Sequence, residues 1–169
     1  MSRFNITKEI KNNIFKINNF FYFIIILIIF FLDRYTKLKI IDNFNNNSYY
    51  FNDYINFDLV WNTGIGFGLL SSFSPIVYGI ITLLISSVII FLIYLVFGSE
   101  FKFKIIFSVI IGGAIGNLYD RIVFKAVPDF IDLHYQNFHW FTFNIADLFI
   151  SIGIITYIFA DLVRYKKND

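Results

Sequence analysis

Long apolar stretches separated by short polar segments dominate the chain. Four of them, at residues 14–32, 75–97, 103–118 and 141–163, approach or reach the roughly 17–25 residues that a helix needs to cross the hydrocarbon of a bilayer. The segment from Asp33 to Ser74 contains no stretch of that kind. The pattern therefore predicts one membrane all-α domain over residues 1–169, with four transmembrane helices.

A different periodicity occurs between the first two predicted helices. The segment YINFDLVWNTG alternates large apolar side chains with Asn56 and Asp58 and ends in a turn-forming NTG. A period of two is typical of a strand with one buried face. It predicts a small extracytoplasmic β-platform between helices 1 and 2.

Basic residues predict the orientation, because Lys and Arg concentrate on the cytoplasmic side of membrane proteins. Nine of the 14 Lys and Arg residues lie before or within the first three residues of the first stretch, around the start of the third, or after the fourth. Both termini are therefore predicted to be cytoplasmic. Lysines before a short apolar run are also typical of a cleavable signal peptide, but no alanine precedes Ala114 to supply an A-x-A cleavage site. A retained anchor is favoured.

Composition narrows the possible chemistry. The chain is 57% hydrophobic and 15% charged, and its formal charge of +2 offers no basic surface for a nucleic acid partner. It contains no cysteine, hence no disulfide, thiolate nucleophile or sulfur-ligated metal. His134 and His139 alone supply too few ligands for zinc. We expect no cofactor and no metal.

Polar residues occur in five short groups near the ends of the predicted spans. DRYTK places Asp33 and Lys37 four residues apart on one helix face, which by itself is typical of an interfacial salt bridge at a solvated helix end. NTGIGFG, residues 62–68, contains three glycines that permit close approach of another chain segment.

The third group, GGAIGNLYDR, combines a packing face with a polar face. Its small residues suit tight helix packing, and Asn117, Asp120 and Arg121 follow together at the outer end of the helix. Asp120 is expected to form an ion pair with the neighbouring Arg121 and to have a scaffolding role.

The last two groups contain the candidate catalytic residues. In VPDFID, Pro128 indicates that the third helix has ended, which leaves Asp129 on an irregular segment near the apolar boundary. In FNIAD, Asp147 lies inside an apolar run, where solvation does not explain it and where Thr142 or Asn144 is the better helix cap. Asp132 is assigned no chemical role.

Asp129 and Asp147 suggest an aspartate pair. If folding brings the two carboxylates together, their mutual repulsion leaves them sharing one proton. One carboxylate then takes a proton from water while the other donates to the scissile carbonyl oxygen. Such a pair hydrolyses a peptide bond without serine, cysteine or metal, so the sequence predicts an aspartic endopeptidase.

These five groups, in this order on four spans, resemble the lipoprotein signal peptidases (signal peptidase II) of bacteria over nearly the whole chain. The resemblance implies a multi-pass protease of the cytoplasmic (inner) membrane with its active site at the periplasmic face. It implies removal of the signal peptide from prolipoproteins next to a diacylglyceryl-modified cysteine. Membrane lipid and globomycin-like inhibitors are further implied partners, and we expect a monomer.

The resemblance also implies residue roles. Asp129 and Asp147 match the catalytic pair of the family, whereas Pro128 and Gly66 depart from its usual valine and its usual alanine or serine. The positions that match residues lining or supporting the site are Asp33, Lys37, Asn62, Gly64, Asn117, Asp120, Arg121 and Asn144.

Two other classes of protein stay open on the sequence. A small oligomeric four-helix proton-coupled transporter would place its key carboxylate near the bilayer midplane, but the second and third stretches have no acidic residue there. A non-catalytic membrane scaffold would function equally well after Asp129→Asn or Asp147→Asn.

Overall fold

The computed structural model of the chain describes residues 17–43, 48–64 and 75–168. Residues 14–16 of the first predicted span, and Gly66 and Gly68 of NTGIGFG, lie outside these ranges. The elements in chain order are α1 (Ile17–Asn43), β1 (Tyr49–Asn52), β2 (Ile55–Asn62), α2 (Pro75–Gly98), α3 (Phe101–Val123), β3 (Val127–Tyr135), β4 (Phe138–Phe143) and α4 (Ile145–Asn168).

Three helices of the described part are long and apolar enough to cross a membrane. They cover Ile76–Gly98, Phe101–Val123 and Ile145–Lys166, so candidate membrane helices lie at the second, third and fourth predicted stretches. Residues 141–143, predicted to begin the fourth helix, are instead the end of β4. The first stretch forms α1, which is not one of these three, so the total of four spans stays a prediction.

Helix α3 lies at the centre of the bundle. It packs against α1, α2 and α4, and 56% of its apolar window is buried. The corresponding windows of α2 and α4 are only 17% and 11% buried. Their large apolar side chains therefore point outward, as expected of helices whose surrounding solvent is lipid.

Small residues on α3 allow its neighbours to approach closely, as the sequence predicted. A Cβ atom added at Gly112 would lie 2.8 Å from the Cβ atom of Ile29 on α1. One added at Gly113 would lie 2.6 Å from the carbonyl oxygen of Ala146 on α4. Both distances are shorter than van der Waals contact, so these two helix interfaces require glycine.

The sheet is larger than the predicted β-platform. Its four strands are antiparallel in the order β1-β2-β3-β4, so half of it comes from the connection between α3 and α4 rather than from between α1 and α2. The strand predicted from YINFDLVWNTG is β2. Which distant segments pair in the sheet depends on how the helices place them. Period-two alternation within one segment does not reveal its pairing partner.

Asp129 lies in a regular strand, so the prediction of an irregular segment was wrong. Pro128 pairs with Trp61 of β2, and Asp129 pairs with Val60. β4 pairs with β3 only from Ile131 onward, so β3 has a single neighbour at the proline. Proline is tolerated at such a position because the second side of the strand needs no hydrogen-bond donor.

The glycine face predicts a stability difference. Gly113→Ala would place its methyl group against the backbone of Ala146, forcing α3 and α4 apart, and we expect a loss of about 1–3 kcal/mol despite the better helix propensity of alanine. The matched control is Gly79→Ala, whose methyl group would meet open space. Thermal unfolding of the detergent-solubilised variants measures the difference. Equal midpoints for the two variants would contradict this account of the interface.

Candidate active site

A buried lysine lies at the sheet end of the bundle. The Lys37 ammonium is 0% exposed and donates to Oδ2 of Asp33 and Oδ2 of Asp120, each at 2.7 Å, and to Oδ1 of Asn117 at 2.8 Å. All three ammonium protons therefore have acceptors. The pairing of Asp33 with Lys37 is confirmed, but a solvated helix end is wrong, because α3 covers this part of α1.

Asp33 connects three helices. Its Oδ1 accepts a 3.0 Å hydrogen bond from the backbone N–H of Ala146, in the first turn of α4, where unpaired amides favour a negative charge. On α3, a Cβ atom at Gly116 would lie 2.5 Å from Oδ2 of Asp33. Glycine at that position makes room for the carboxylate.

The predicted ion pair between Asp120 and Arg121 is wrong. Asp120 binds Lys37 and the Nη1 atom of Arg34, whereas Arg121 donates to the backbone oxygens of Asn117 at 3.2 Å and Gly64 at 3.0 Å. Neighbouring residues on a helix point in different directions, so Asp120 faces α1 and Arg121 faces the end of β2.

Arg34 also belongs to this polar cluster, although the sequence analysis did not include it. It is buried, pairs with Asp120 and stacks its guanidinium 4.9 Å from the ring centroid of Tyr119. The available signal was the first of the two cations in DRYTK, which directly follows Asp33.

Asp129 of β3 is held by neutral amides. Its Oδ1 accepts from Nδ2 of Asn144 at 2.6 Å, and its Oδ2 accepts from Nδ2 of Asn62 at 2.8 Å. The residue is 2% exposed. Burial, with the nearby charge of Asp147 as the next cause, raises the pKa of Asp129 to about 6, although the two amide hydrogen bonds oppose the shift.

Asp147 has two roles at the start of α4. Its backbone N–H donates to Oδ1 of Asn144 at 3.0 Å, and its Oδ2 accepts from the backbone N–H of Asn144 at 3.3 Å. This reciprocal capping box shows that Asn144, one of the two predicted candidates, is the helix cap, and that Thr142 is not. The other carboxylate oxygen, Oδ1, accepts from Nδ2 of Asn117 at 2.8 Å.

Asn117 and Asn144, which we call the amide bridge, link the two aspartates to each other and to the buried lysine. Asn144 donates through Nδ2 both to Asp129 and to Oδ1 of Asn117, the latter at 3.2 Å. Asn117 accepts from Lys37 and donates to Asp147. Asp129 and Asp147 therefore belong to one continuous hydrogen-bond network.

The charged groups of this network leave one negative charge uncompensated. Four carboxylates face three cations, and all but Asp147 are buried. An uncompensated charge is costly in a buried site, and one proton on the aspartate pair makes the cluster neutral. The groups counted are Asp33, Asp120, Asp129, Asp147, Arg34, Lys37 and Arg121.

The structure brings all the predicted site residues into this one region. Gly64 completes the set, because its N–H donates to Oδ1 of Asn62 at 2.8 Å and its carbonyl accepts from Arg121. Within the described residues, the ends of the helices far from the sheet contribute no side chain to these contacts.

Comparisons with known proteins agree with this geometry. Residues 25–163 match the family described as signal peptidase (SPase) II. The chain is 44% identical over 142 residues to the lipoprotein signal peptidase of Pelagibacter ubique (strain HTCC1062), covering 82% of this chain and 86% of that protein. The chain belongs to the signal peptidase II family.

Two further similarities extend the comparison. A lipoprotein signal peptidase of Thermodesulfovibrio yellowstonii is 40% identical over 111 residues, which cover 66% of this chain and 73% of the relative. A bacterial membrane enzyme solved by the in meso method at 2.3 Å resolution superposes with a TM-score of 0.74 at 28% identity, covering 88% of this chain and 91% of that one. The prediction of a membrane signal peptidase II is confirmed, and the transporter alternative finds no support.

The buried lysine of this signal peptidase generates a second stability prediction. Lys37→Met keeps the apolar stem but leaves Asp33 and Asp120 without their shared cation, which should cost about 3–5 kcal/mol. Lys39→Met, two residues along α1 on an exposed side chain, is the matched control and should change stability by well under 1 kcal/mol. Thermal or denaturant unfolding in detergent measures both. A Lys37→Met variant as stable as its control would refute the role given to the ammonium.

Proposed function

We propose that Asp129 and Asp147 share one proton and form the catalytic pair with which this peptidase removes signal peptides from lipid-modified lipoprotein precursors. The observation that carries the assignment is the amide bridge, which joins both carboxylates through Asn117 and Asn144. The identity of the substrate rests on the family. The role of each aspartate rests on its environment.

Asp129 is the partner that holds the proton. It is 2% exposed, whereas Asp147 is only partly buried, and burial disfavours the charged form of a carboxylate. Asp147 lies in the first turn of α4, where the helix dipole and the Asn117 amide favour the ionised form. Asp147 is therefore the general base and Asp129 the general acid.

The reaction follows from these two roles. Asp147 takes a proton from a water molecule as the water oxygen bonds to the scissile carbonyl carbon, and Asp129 gives its proton to the carbonyl oxygen. Asp147 then passes its proton to the amide nitrogen as the C–N bond breaks. Collapse of the tetrahedral carbon to a carboxyl group returns one proton to the pair, so the site ends with the charge it had at the start.

A groove beside the site suits a substrate that is anchored in lipid. It has a volume of 770 Å³ and opens between α2 and α3 next to Arg121. Its walls are mostly apolar with a few hydroxyl groups, so it can hold an extended segment or an acyl chain at the level of the sheet. The lining residues of the groove are Thr63, Tyr78, Gly79, Thr82, Leu83, Ser86, Arg121, Ile122 and Lys125.

We further propose a single monomeric domain with four spans, both termini in the cytoplasm, and the sheet and site at the periplasmic face of the cytoplasmic membrane. The α1 helix supports a fourth span because Phe20, Phe31 and Ile28 project outward, each at least 60% exposed. Lys102 and Lys104 begin α3 at the end opposite the sheet, as the charge rule requires. Globomycin-like cyclic peptides should bind at the aspartate pair.

Single substitutions test the catalytic assignment. Asp129→Asn and Asp147→Asn each prevent one proton transfer, and we expect either change to lower kcat by about 10³-fold or more. The assay is processing of a purified diacylglyceryl-modified prolipoprotein, followed as a mobility shift on a gel. Asp58→Asn, an exposed carboxylate on β2, is the control and should process at the rate of the unchanged enzyme. Substantial turnover by either site variant would overturn the assignment.

The pKa of Asp129 predicts a pH response. The active pair holds one proton, so activity should fall as pH rises through the pKa of Asp129, which is about 6. The hydrogen bond from Asn62 lowers that pKa, so Asn62→Ala should move the alkaline limb of kcat/KM to higher pH. Asn43→Ala, on an exposed residue of α1, should leave the limb in place. A limb that moves to lower pH in Asn62→Ala would contradict this proton assignment.

A further inference from the structure

A second cluster of titratable side chains lies on the sheet. Asp132 and His134 are on β3 and His139 is on β4, where it pairs directly with His134 in the strand register. Asp129 and Asp132 are three residues apart on one strand, so their side chains point to opposite faces. The cluster is therefore separate from the aspartate pair.

The donor atoms of the cluster are close enough to share one ion. Nδ1 of His139 lies 2.7 Å from Oδ2 of Asp132, and Nδ1 of His134 lies 3.5 Å from the same oxygen. One donor atom from each of the three residues lies within 4.8 Å of the others. Ligands at about 2.0–2.2 Å from zinc are separated from each other by roughly 3–4 Å, so small side-chain rotations suffice to form a site.

His134 supplies an independent observation. It is 7% exposed, and its Nδ1 has no hydrogen-bond partner within the described residues. The 3.5 Å separation from Asp132 is too long for a normal hydrogen bond. A buried polar nitrogen without a partner is costly, and this one lies at the centre of a set of metal-ligand side chains.

We propose that Asp132, His134 and His139 bind a divalent transition-metal ion of the Zn²⁺ type. Two imidazoles and one carboxylate form a common ligand set for such ions, with a fourth position left for water. Asp132, to which the sequence analysis gave no role, becomes a ligand because strand alternation places it on the same face as His134. His134 and His139 alone are too few ligands for zinc, and Asp132 supplies the third.

The ion would link β3 to β4 next to the turn at residues 136–137. Because it binds only the folded sheet, it stabilises the protein by RT ln(1 + L/Kd), where L is the free metal concentration, so the unfolding midpoint rises with added metal. This proposal does not depend on the identity of the catalytic residues or on peptidase activity.

A cobalt titration tests the site directly. The full chain, purified in detergent and freed of metal with EDTA, is titrated with Co²⁺, whose visible absorption reports nitrogen and oxygen coordination, and then with Zn²⁺ as a competitor. We expect one equivalent of Co²⁺ to bind, Zn²⁺ to displace it, and the unfolding midpoint to rise with either ion. Absence of a cobalt band would overturn the proposal and leave the contact between Asp132 and His139 as a hydrogen bond only.

Variants distinguish this site from adventitious binding. His139→Ala changes a side chain that is 58% exposed, so the variant should fold, and the loss of one ligand should weaken Co²⁺ binding by roughly tenfold or more. Asp132→Asn should also weaken it. Asp58→Asn, on an exposed acid elsewhere in the sheet, should bind as the unchanged chain does. Equal binding by His139→Ala and the unchanged chain means an adventitious ion only and contradicts the site.

Discussion

A single buried ammonium organises the polar end of this membrane bundle. Lys37 must have three acceptors to be stable away from water, and it finds them in Asp33, Asp120 and Asn117. Its contact with Oδ1 of Asn117 also determines which way that amide faces, so Nδ2 is the atom left to donate to Asp147. The lysine therefore orients the carboxylate of Asp147 through an intermediate side chain, without touching it.

Under the proposed assignment, this layered arrangement leaves Asp129 and Asp147 available for proton transfer beside three cations. The direct hydrogen-bond partners of Asp129 are amides. The cations Lys37 and Arg34 instead form ion pairs with Asp33 and Asp120. A direct ion pair would hold a carboxylate ionised over the whole physiological range. The amide bridge holds the two carboxylates in place but carries no net charge. Under the proposed assignment, burial then favours the form of the aspartate pair that retains one proton.

Sequence patterns predicted the apolar helices, strand β2, the glycine face and the residues of the site. Local spacing correctly predicted the contact between Asp33 and Lys37, which are one helical turn apart. It also included Asn144 among the candidate helix caps. It failed for Asp120 and Arg121, because adjacency along a helix does not bring two side chains together. It also failed for β3 and β4 and for the grouping of Asp132 with His139, because pairing between strands depends on which segments the helices bring side by side.

Infrared titration of the aspartate carboxyl groups in lipid bilayers tests the shared proton most directly. With isotopically labelled aspartate, the account predicts that one protonated carboxyl of the unchanged enzyme persists well above the usual aspartate range, disappears as pH rises through about 6, and is absent from the Asp129→Asn variant. Complete ionisation of every aspartate by pH 5, or a persisting band that survives in Asp129→Asn, would contradict it.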